Sequence, residues 1–381
     1  MIRKDFLPFS RPEVSDEEVK AAAAVLRSGW WTTGPKVTEF EDKIVDYLKG
    51  PEQLYAVGLN SCTAGLHLSL EALGIGPGDE VIVPTWTFAA TAQVVDWVGA
   101  KLVLCDVEED SLNIDLEKAS RLVTSRTKAI IPVHIAGYPC DIDGINKLAQ
   151  RHGLKVIEDA AHAIGTRYFG KKIGNFSDVA VFSFYATKNL AMGEGGLVVS
   201  RNKDLIESIR KKSYFGINKQ AFKRYGKTGN WFYDIEEKGY KYNLDSLHAA
   251  IGLVQLKKLD RMLAKRRKLA AFYRKELDGL AGFTKDSDEH FHNYHLFMIK
   301  TGSSGQERDS LIIELKKRNI GTSVHYIPLH MHSYYKKRFC AGDFPVANKI
   351  FNEILSIPMF SSMTVKDAGY VTGHLKELLR G

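Results

Sequence analysis

The sequence has few cysteines, no long apolar run and no internal repeat, and each absence removes a class of function. Among 381 residues there are four cysteines, Cys62, Cys105, Cys140 and Cys340, scattered far apart. They have neither the close pairing of a zinc site nor the density of a disulfide scaffold, which a chain of this size does not need. They read as free thiols in a reducing cytoplasm, and no metal is expected. No stretch approaches the roughly 20 apolar residues that span a bilayer. The opening MIRKDFLPFS lacks the apolar segment of a secretory signal. No GxGxxG and no P-loop follows an early strand, so a nucleotide-binding α/β protein loses its main warrant.

What is present is an ordinary globular composition, 44% hydrophobic and 26% charged, with a formal net charge of +8. The length suggests two domains. The positive charge gathers in two clusters. One is Lys219, Lys223, Arg224 and Lys227, in a Gly-containing stretch; the other is Lys265, Arg266, Arg267 and Lys268, inside a helical pattern. The second reads as a solvated helix face. No helix-turn-helix, zinc or RNA-binding signature accompanies the charge, so nucleic acid is not the expected partner. A positive field would suit a substrate carrying a diphosphate.

The rhythm of the chain predicts its layers. Residues 15–28 read as a helix, with Ser15 and Glu18 at capping-box spacing, and 36–49 as a second. From residue 55, strand-like runs (YAVGL, EVIVP, KLVLCDV, AIIPVHI, KVIEDA, VAVFSF, GLVVS) alternate with helical stretches at 63–73, 87–98, 141–152 and 203–212. Such alternation predicts an α/β fold, a mostly parallel sheet with helices on both faces. VAVFSF and GLVVS lie closer together, so one of them runs antiparallel or makes a short excursion. Residues 246–277 form a long helical run. After it come YHLFMIK as a strand, a helix at 307–318, TSVHYI as a strand and a helix at 346–356. A boundary near residue 246 divides a large domain, 1–246, from a small one, 247–381. No linker marks it, so the two should pack closely.

Four segments could carry chemistry. Asn60-Ser61-Cys62-Thr63-Ala64 lies between a strand and a helix, where free backbone N–H groups and the helix dipole can hold a phosphate; the same residues serve equally as a plain N-cap. In Val156-Ile157-Glu158-Asp159-Ala160-Ala161-His162, Asp159 ends a strand and points into the cleft, while Glu158 faces the other way. A carboxylate there can keep a pyridine nitrogen protonated and make the ring an electron sink, or simply cap the next helix. His162 either faces a cofactor ring or is structural. In Val181-Phe182-Ser183-Phe184-Tyr185-Ala186-Thr187-Lys188, the lysine follows a strand end and precedes Gly193-Glu194-Gly195-Gly196. Partial burial and nearby positive charge there would make its amine reactive, and Ser183 could bind phosphate. In Pro84-Thr85-Trp86-Thr87-Phe88 an aromatic could stack on a flat ring or belong to the core.

Taken together and in order, these segments resemble the DegT/StrS-type sugar aminotransferases, a branch of the fold-type-I enzymes that use pyridoxal 5′-phosphate (PLP). The resemblance runs nearly end to end. It includes LPFSRP, SGWWTTGP, NSCTAGLHL, GIGPGDEVIVP, VIEDAAHAIGT, SFYATKNLAMGEGG, GYKYNLDSLHAAIGLVQL, SVHYIPLH and LSIPMF.

The resemblance implies that Lys188 carries PLP and that Asp159 pairs with its pyridine nitrogen. Phe88 and His162 would flank the ring. Thr63, Ala64 and Ser183 would hold the phosphate, together with Asn243 from the partner subunit of a homodimer. Trp31, Thr32, Tyr185, His325 and His330 match positions near the sugar pocket. L-glutamate would give its amine in one half of a ping-pong reaction, and a nucleotide-linked keto sugar would take it in the other. The opening and SGWWTTGP most resemble the branch acting at C4 of UDP-linked 4-keto sugars; C3 ketones and dTDP or GDP sugars are alternatives. Related dehydratases replace the lysine with histidine, and related PLP-binding regulators carry a DNA-binding module for which this chain has no residues left over.

Overall fold

The alternating runs of the first 200 residues build one seven-stranded sheet. The computed structural model describes residues 2–217, 232–302 and 304–380. The first basic cluster, Lys219, Lys223, Arg224 and Lys227, lies outside the described residues. The strands in chain order are β1 (Tyr55–Leu59), β2 (Glu80–Pro84), β3 (Lys101–Cys105), β4 (Thr127–Ile130), β5 (Lys155–Asp159), a short pair β6 (Arg167–Tyr168) and β7 (Lys171–Lys172), then β8 (Val179–Ser183) and β9 (Gly196–Ser200). The sheet order is β1-β9-β8-β5-β4-β2-β3. β9 is antiparallel to both neighbours and the remaining pairs are parallel. The close pair VAVFSF and GLVVS therefore does contain the antiparallel strand.

Each expected early helix is present within two residues of its expected ends. They are α1 (Asp16–Ser28), α2 (Pro35–Leu48), α3 (Cys62–Ala72) and α4 (Ala89–Trp97), then, after an unforeseen α5 (Leu116–Leu122), α6 (Ile142–His152) and α7 (Lys203–Lys212). Ser15 and Glu18 make both bonds of the capping box. The sheet is covered on both faces, and the period of two decides which residue meets which layer. Val57, Val181 and Val198 face the core that includes Leu66 and Leu68 of α3 and Ile206 of α7. Their neighbours Ala56, Ala180, Phe182 and Val199 face the core built on Phe40 and Ile44 of α2. Strands β8 and β9 are buried along their whole length.

The long run becomes α8 (Ser246–Glu276), which packs on α1 and α2 at one end and on the last helix at the other. A three-stranded antiparallel sheet follows, made of β10 (Gly282–Phe283), β11 (Phe297–Lys300) and β12 (Ile354–Ile357), with α9 (Gly305–Lys317), α10 (Pro345–Glu353) and α11 (Val365–Leu379). Two expectations fail here. The helix expected over 346–356 stops at Glu353, because Ile354–Ile357 is a fully buried run that pairs with β11. TSVHYI forms no strand and makes a single bridge, Ser323 to Ser356.

The second basic cluster is not a solvated face throughout. Arg266 is 3% exposed, and its Nη1 donates to the carbonyls of Tyr294, His295 and Met359. Arg267 lies over the Phe291 ring, 4.6 Å from its centroid. The helix turns these two planar cations inward, where backbone oxygens and an aromatic face accept them. Lys265 reaches Glu13, and Lys268 is exposed.

Candidate active site

Strands β5 and β8 and the loop from β1 into α3 all end on one side of the sheet, where ligands of such folds bind. They open into one cavity of about 500 Å³. Of the residues expected to be functional, Thr63, Phe88, Asp159, His162, Ser183, Tyr185, Lys188 and His325 line it.

Lys188 sits on the turn after β8, where its backbone N–H donates to the Tyr185 carbonyl at 2.8 Å. Burial pushes its ammonium down to about 8, against the pull of Cys62 and Asp159. At pH 7.5 a group of that pKa is roughly one quarter free amine, against about one part in a thousand for an unperturbed lysine. The position can therefore offer a free amine near neutrality.

Asp159 closes β5 and is 5% exposed. Thr91 Oγ1 donates to its Oδ2 at 2.8 Å, and the Ala161 backbone N–H donates to Oδ1 at 3.1 Å. Burial raises its pKa, while these two bonds and Lys188 lower it. Glu158 points to the opposite side, as alternation requires, and meets His134 Nε2 at 2.9 Å. Thr91 is a functional residue that the strand-end reading missed; its only sequence signal is its place one helical turn after Thr87, whose hydroxyl it meets at 2.8 Å. Removing the bond from Thr91 should raise the Asp159 pKa. Thr91→Val is expected to lower kcat about tenfold, the worth of one charge-assisted hydrogen bond. It should also move the acid limb of the pH–rate profile to higher pH; an unmoved limb would mean that Thr91 does not act through Asp159.

The start of α3 is both a cap and a cradle. Ser61 Oγ accepts the Ala64 N–H at 3.1 Å. Ala64 is thus committed to the helix cap and does not line the cavity, whereas Thr63 and Ser183 do. The Gly-rich turn closes against this cap. A Cβ on Gly196 would stand 2.3 Å from the Ser61 carbonyl carbon and 2.4 Å from the Cys62 nitrogen. Only glycine lets the turn approach the helix start so closely.

The wall facing Lys188 is aromatic and uncharged. His162 Nε2 meets the Tyr326 hydroxyl at 3.0 Å, and its ring lies 4.4 Å from that of His295. Burial holds His162 and His295 well below the ordinary histidine range and pushes His325 down to about 4. His295, Tyr326 and Glu194 also line the cavity. They were not singled out in the sequence, because His295 and Tyr326 arrive from segments more than 100 residues away and no spacing announces them.

Four expected residues lie elsewhere. His330 is 2% exposed, with Thr85 Oγ1 on Nδ1 at 2.7 Å and Asn348 Oδ1 on Nε2 at 2.8 Å. Both ring nitrogens are engaged, so it ties α10 to the end of β2 and has no hydrogen-bonding capacity left for a sugar. Trp31, Thr32 and Asn243 lie near one another outside the cavity lining. The Ser246 backbone N–H donates to the carbonyls of Trp31 and Thr32, and Asn243 Nδ2 donates to Thr33 Oγ1. Thr32 and Asn243 line a second cavity there, of about 710 Å³.

The family described as the DegT/DnrJ/EryC1/StrS aminotransferase family matches residues 12–376. The chain belongs to this family. It is an aminotransferase, and PLP is the cofactor of that chemistry. The spore coat polysaccharide biosynthesis protein SpsC of Bacillus subtilis is 42% identical over 386 residues, covering 100% of this chain and 98% of SpsC. Spr1654 from Streptococcus pneumoniae, solved in a pyridoxamine phosphate form, matches with a TM-score of 0.92 at 31% identity over 98% of both chains. Its PLP form matches with the same TM-score. The sugar aminotransferase CalS13 from Micromonospora echinospora matches with a TM-score of 0.88 at 29% identity, over 97% of this chain and 99% of its own.

The residues present fit PLP. A buried carboxylate whose pKa burial raises, and on which Lys188 acts as an opposing positive charge, suits a protonated ring nitrogen. The cradle at Ser61, Thr63 and Gly196 suits a phosphate. Among the described residues no helix is long and apolar enough to cross a membrane.

Proposed function

We propose that this enzyme moves the amino group of L-glutamate to a nucleotide-linked keto sugar, at C4 of a UDP-4-keto sugar, in amino-sugar and polysaccharide biosynthesis. The observation that carries the reading is the meeting, in one cavity, of a lysine held near pKa 8 and a buried Asp159. The name of SpsC supports a polysaccharide pathway, and CalS13 supports a sugar acceptor. The four free cysteines fit a cytoplasmic setting.

PLP, when bound, supplies an electron sink and a carrier for the amine between the two halves of the reaction. The chain's own residues do the rest. Lys188 holds the cofactor covalently at rest, and its freed amine moves the proton at the donor's α-carbon. Asp159, fixed by Thr91 and Ala161, keeps the ring nitrogen protonated. Thr63 and Ser183 hold the phosphate at the start of α3. Phe88 and His162 confine the ring. Because its pKa is depressed, His162 stays neutral at working pH and sets no second positive charge beside the cofactor. Tyr185 and His325 face the acceptor.

Trp31, Thr32 and Asn243 lie outside the lining of their own cavity, which supports their service to a partner's cavity in a homodimer. Asn243→Ala is expected to weaken PLP retention severalfold, measured by dialysis and absorbance; unchanged retention would argue against the shared site. A glutamate-coupled assay over a panel of nucleotide keto sugars tests the acceptor. Amination of UDP-4-keto sugars is expected, and turnover confined to 3-keto or dTDP- and GDP-linked sugars would replace the C4 reading.

A further inference from the structure

One part of the cavity wall comes from the arm of the chain that precedes α1. Phe9 and Ser10 line the cavity, although Ser10 is 177 residues from Thr187, its neighbour there. The arm is tied down along its length. Leu7 is buried and bridges in parallel to Ile320. Its N–H donates to the Asn319 carbonyl and its carbonyl accepts the Gly321 N–H, both at 2.8 Å. The Met359 N–H donates to the Phe9 carbonyl at 3.2 Å. A Cβ on Gly321 would stand 2.9 Å from the Phe9 nitrogen, so only glycine lets the arm lie this close. Upstream, Arg3 pairs with Asp367 of α11. Downstream, Gln255 of α8 donates to the Glu13 carbonyl at 2.7 Å. A terminal segment is ordered when it is anchored in this way.

What these ties hold in place is a ring. Phe9 stacks on His325, with centroids 4.9 Å apart and planes at 29°. The Trp86 indole N–H donates to the His325 carbonyl at 3.1 Å, and His325 Nδ1 meets Ser356 Oγ at 3.0 Å. The histidine is therefore fixed from two sides, and burial keeps it uncharged near neutrality. One residue on, Ser10 Oγ donates to the Thr187 carbonyl at 3.5 Å, beside Lys188. The arm thus joins the histidine read as facing the acceptor to the turn that carries the lysine. A ring that served packing alone would be enclosed; Phe9 is partly exposed and lines the cavity.

We propose that Phe9 is a platform for the sugar ring of the acceptor and sets the enzyme's preference for a sugar over a short dicarboxylate. This rests on the sugar-acceptor reading given above. The C–H faces of a pyranose are apolar and match an aromatic face, whereas glutamate and 2-oxoglutarate have no flat apolar face to offer. Because the ring is already held, little ordering cost falls on binding.

The test starts from enzyme loaded with PLP and bleached by L-glutamate. The return of absorbance is followed with two acceptors, 2-oxoglutarate and the nucleotide keto sugar that wild type uses best, each below saturation. In Phe9→Ala the return with the sugar is expected to slow about tenfold, and the return with 2-oxoglutarate to stay within about twofold. Phe9→Tyr keeps the flat face and should keep the sugar rate. Phe9→Leu keeps an apolar side chain without that face and should lose most of the preference. Phe6→Ala removes an exposed ring of the same arm, outside the lining, and should behave as wild type. Equal losses with both acceptors, no loss with either, or a Phe9→Leu enzyme as selective as wild type would overturn the proposal. Should Phe9→Ala fail to fold, the tyrosine and leucine variants decide it. A wild-type enzyme that 2-oxoglutarate restores and no sugar restores would instead sink the sugar-acceptor reading, and the platform with it.

Discussion

Replacing Lys188 with alanine is expected to abolish turnover, lowering it by at least about 10⁴-fold, since one side chain serves as both nucleophile and proton carrier. Borohydride reduction should then leave no cofactor covalently attached, although PLP can still occupy the cavity through Ser183 and the start of α3. The fold should survive, because Lys188 lies on a turn and its side chain has no ion pair among the described residues. Small primary amines added to the variant should restore part of the proton transfer, with an efficiency that follows their pKa. Full turnover by Lys188→Ala would end the account. Loss of turnover with wild-type covalent attachment would mean that another lysine carries the cofactor.

The second large effect is expected at Asp159. Asp159→Asn keeps the size and can keep the bonds to Thr91 and Ala161, but it cannot hold a ring nitrogen protonated. A fall in kcat of about 10²–10³ is expected, the scale of losing one preorganised electrostatic contact. The sign of the stability change runs the other way. Burial raises the Asp159 pKa. The folded chain therefore holds that proton to higher pH than the unfolded chain does, and stability falls as pH rises through that window. Asp159→Asn without cofactor should be at least as stable as wild type at neutral pH and should lose this pH dependence. Thermal melts across pH check it. A variant that simply unfolds would mean that the carboxylate is structural.

These expectations were legible in the sequence to different degrees. The large sheet was readable because its strands are buried on both faces, so each is a short apolar run between turn residues. Lys188, Asp159, Ser183 and Thr63 were readable because each sits where a strand ends or a helix begins, and that position is local information. Thr91 was hidden because its role depends on an i, i+4 partner and on a strand two places away in the sheet. His295 and Tyr326 were hidden because the smaller sheet brings them in from distant segments. His330 was misplaced for the opposite reason. Its motif sits beside the cavity residues His325 and Tyr326, but the 3₁₀ turn over Leu329–Met331 turns the ring into the core, toward Thr85 and Asn348. Arg266 shows the limit of reading charge as exposure: a helix of 31 residues, about nine turns, packed at both ends must bury part of its basic stretch, and three carbonyls are there to accept the guanidinium.

The most direct test of the central claim is a half-reaction followed by absorbance. Purified enzyme loaded with PLP is mixed with L-glutamate alone, and a nucleotide-linked keto sugar is added afterwards. The visible absorbance should bleach on the first addition, with one 2-oxoglutarate released per active site, and return on the second as the amino sugar forms. An absorbance that glutamate leaves unchanged, or one that bleaches and does not return with any keto sugar of the panel, would contradict the function proposed for Lys188 and its cavity.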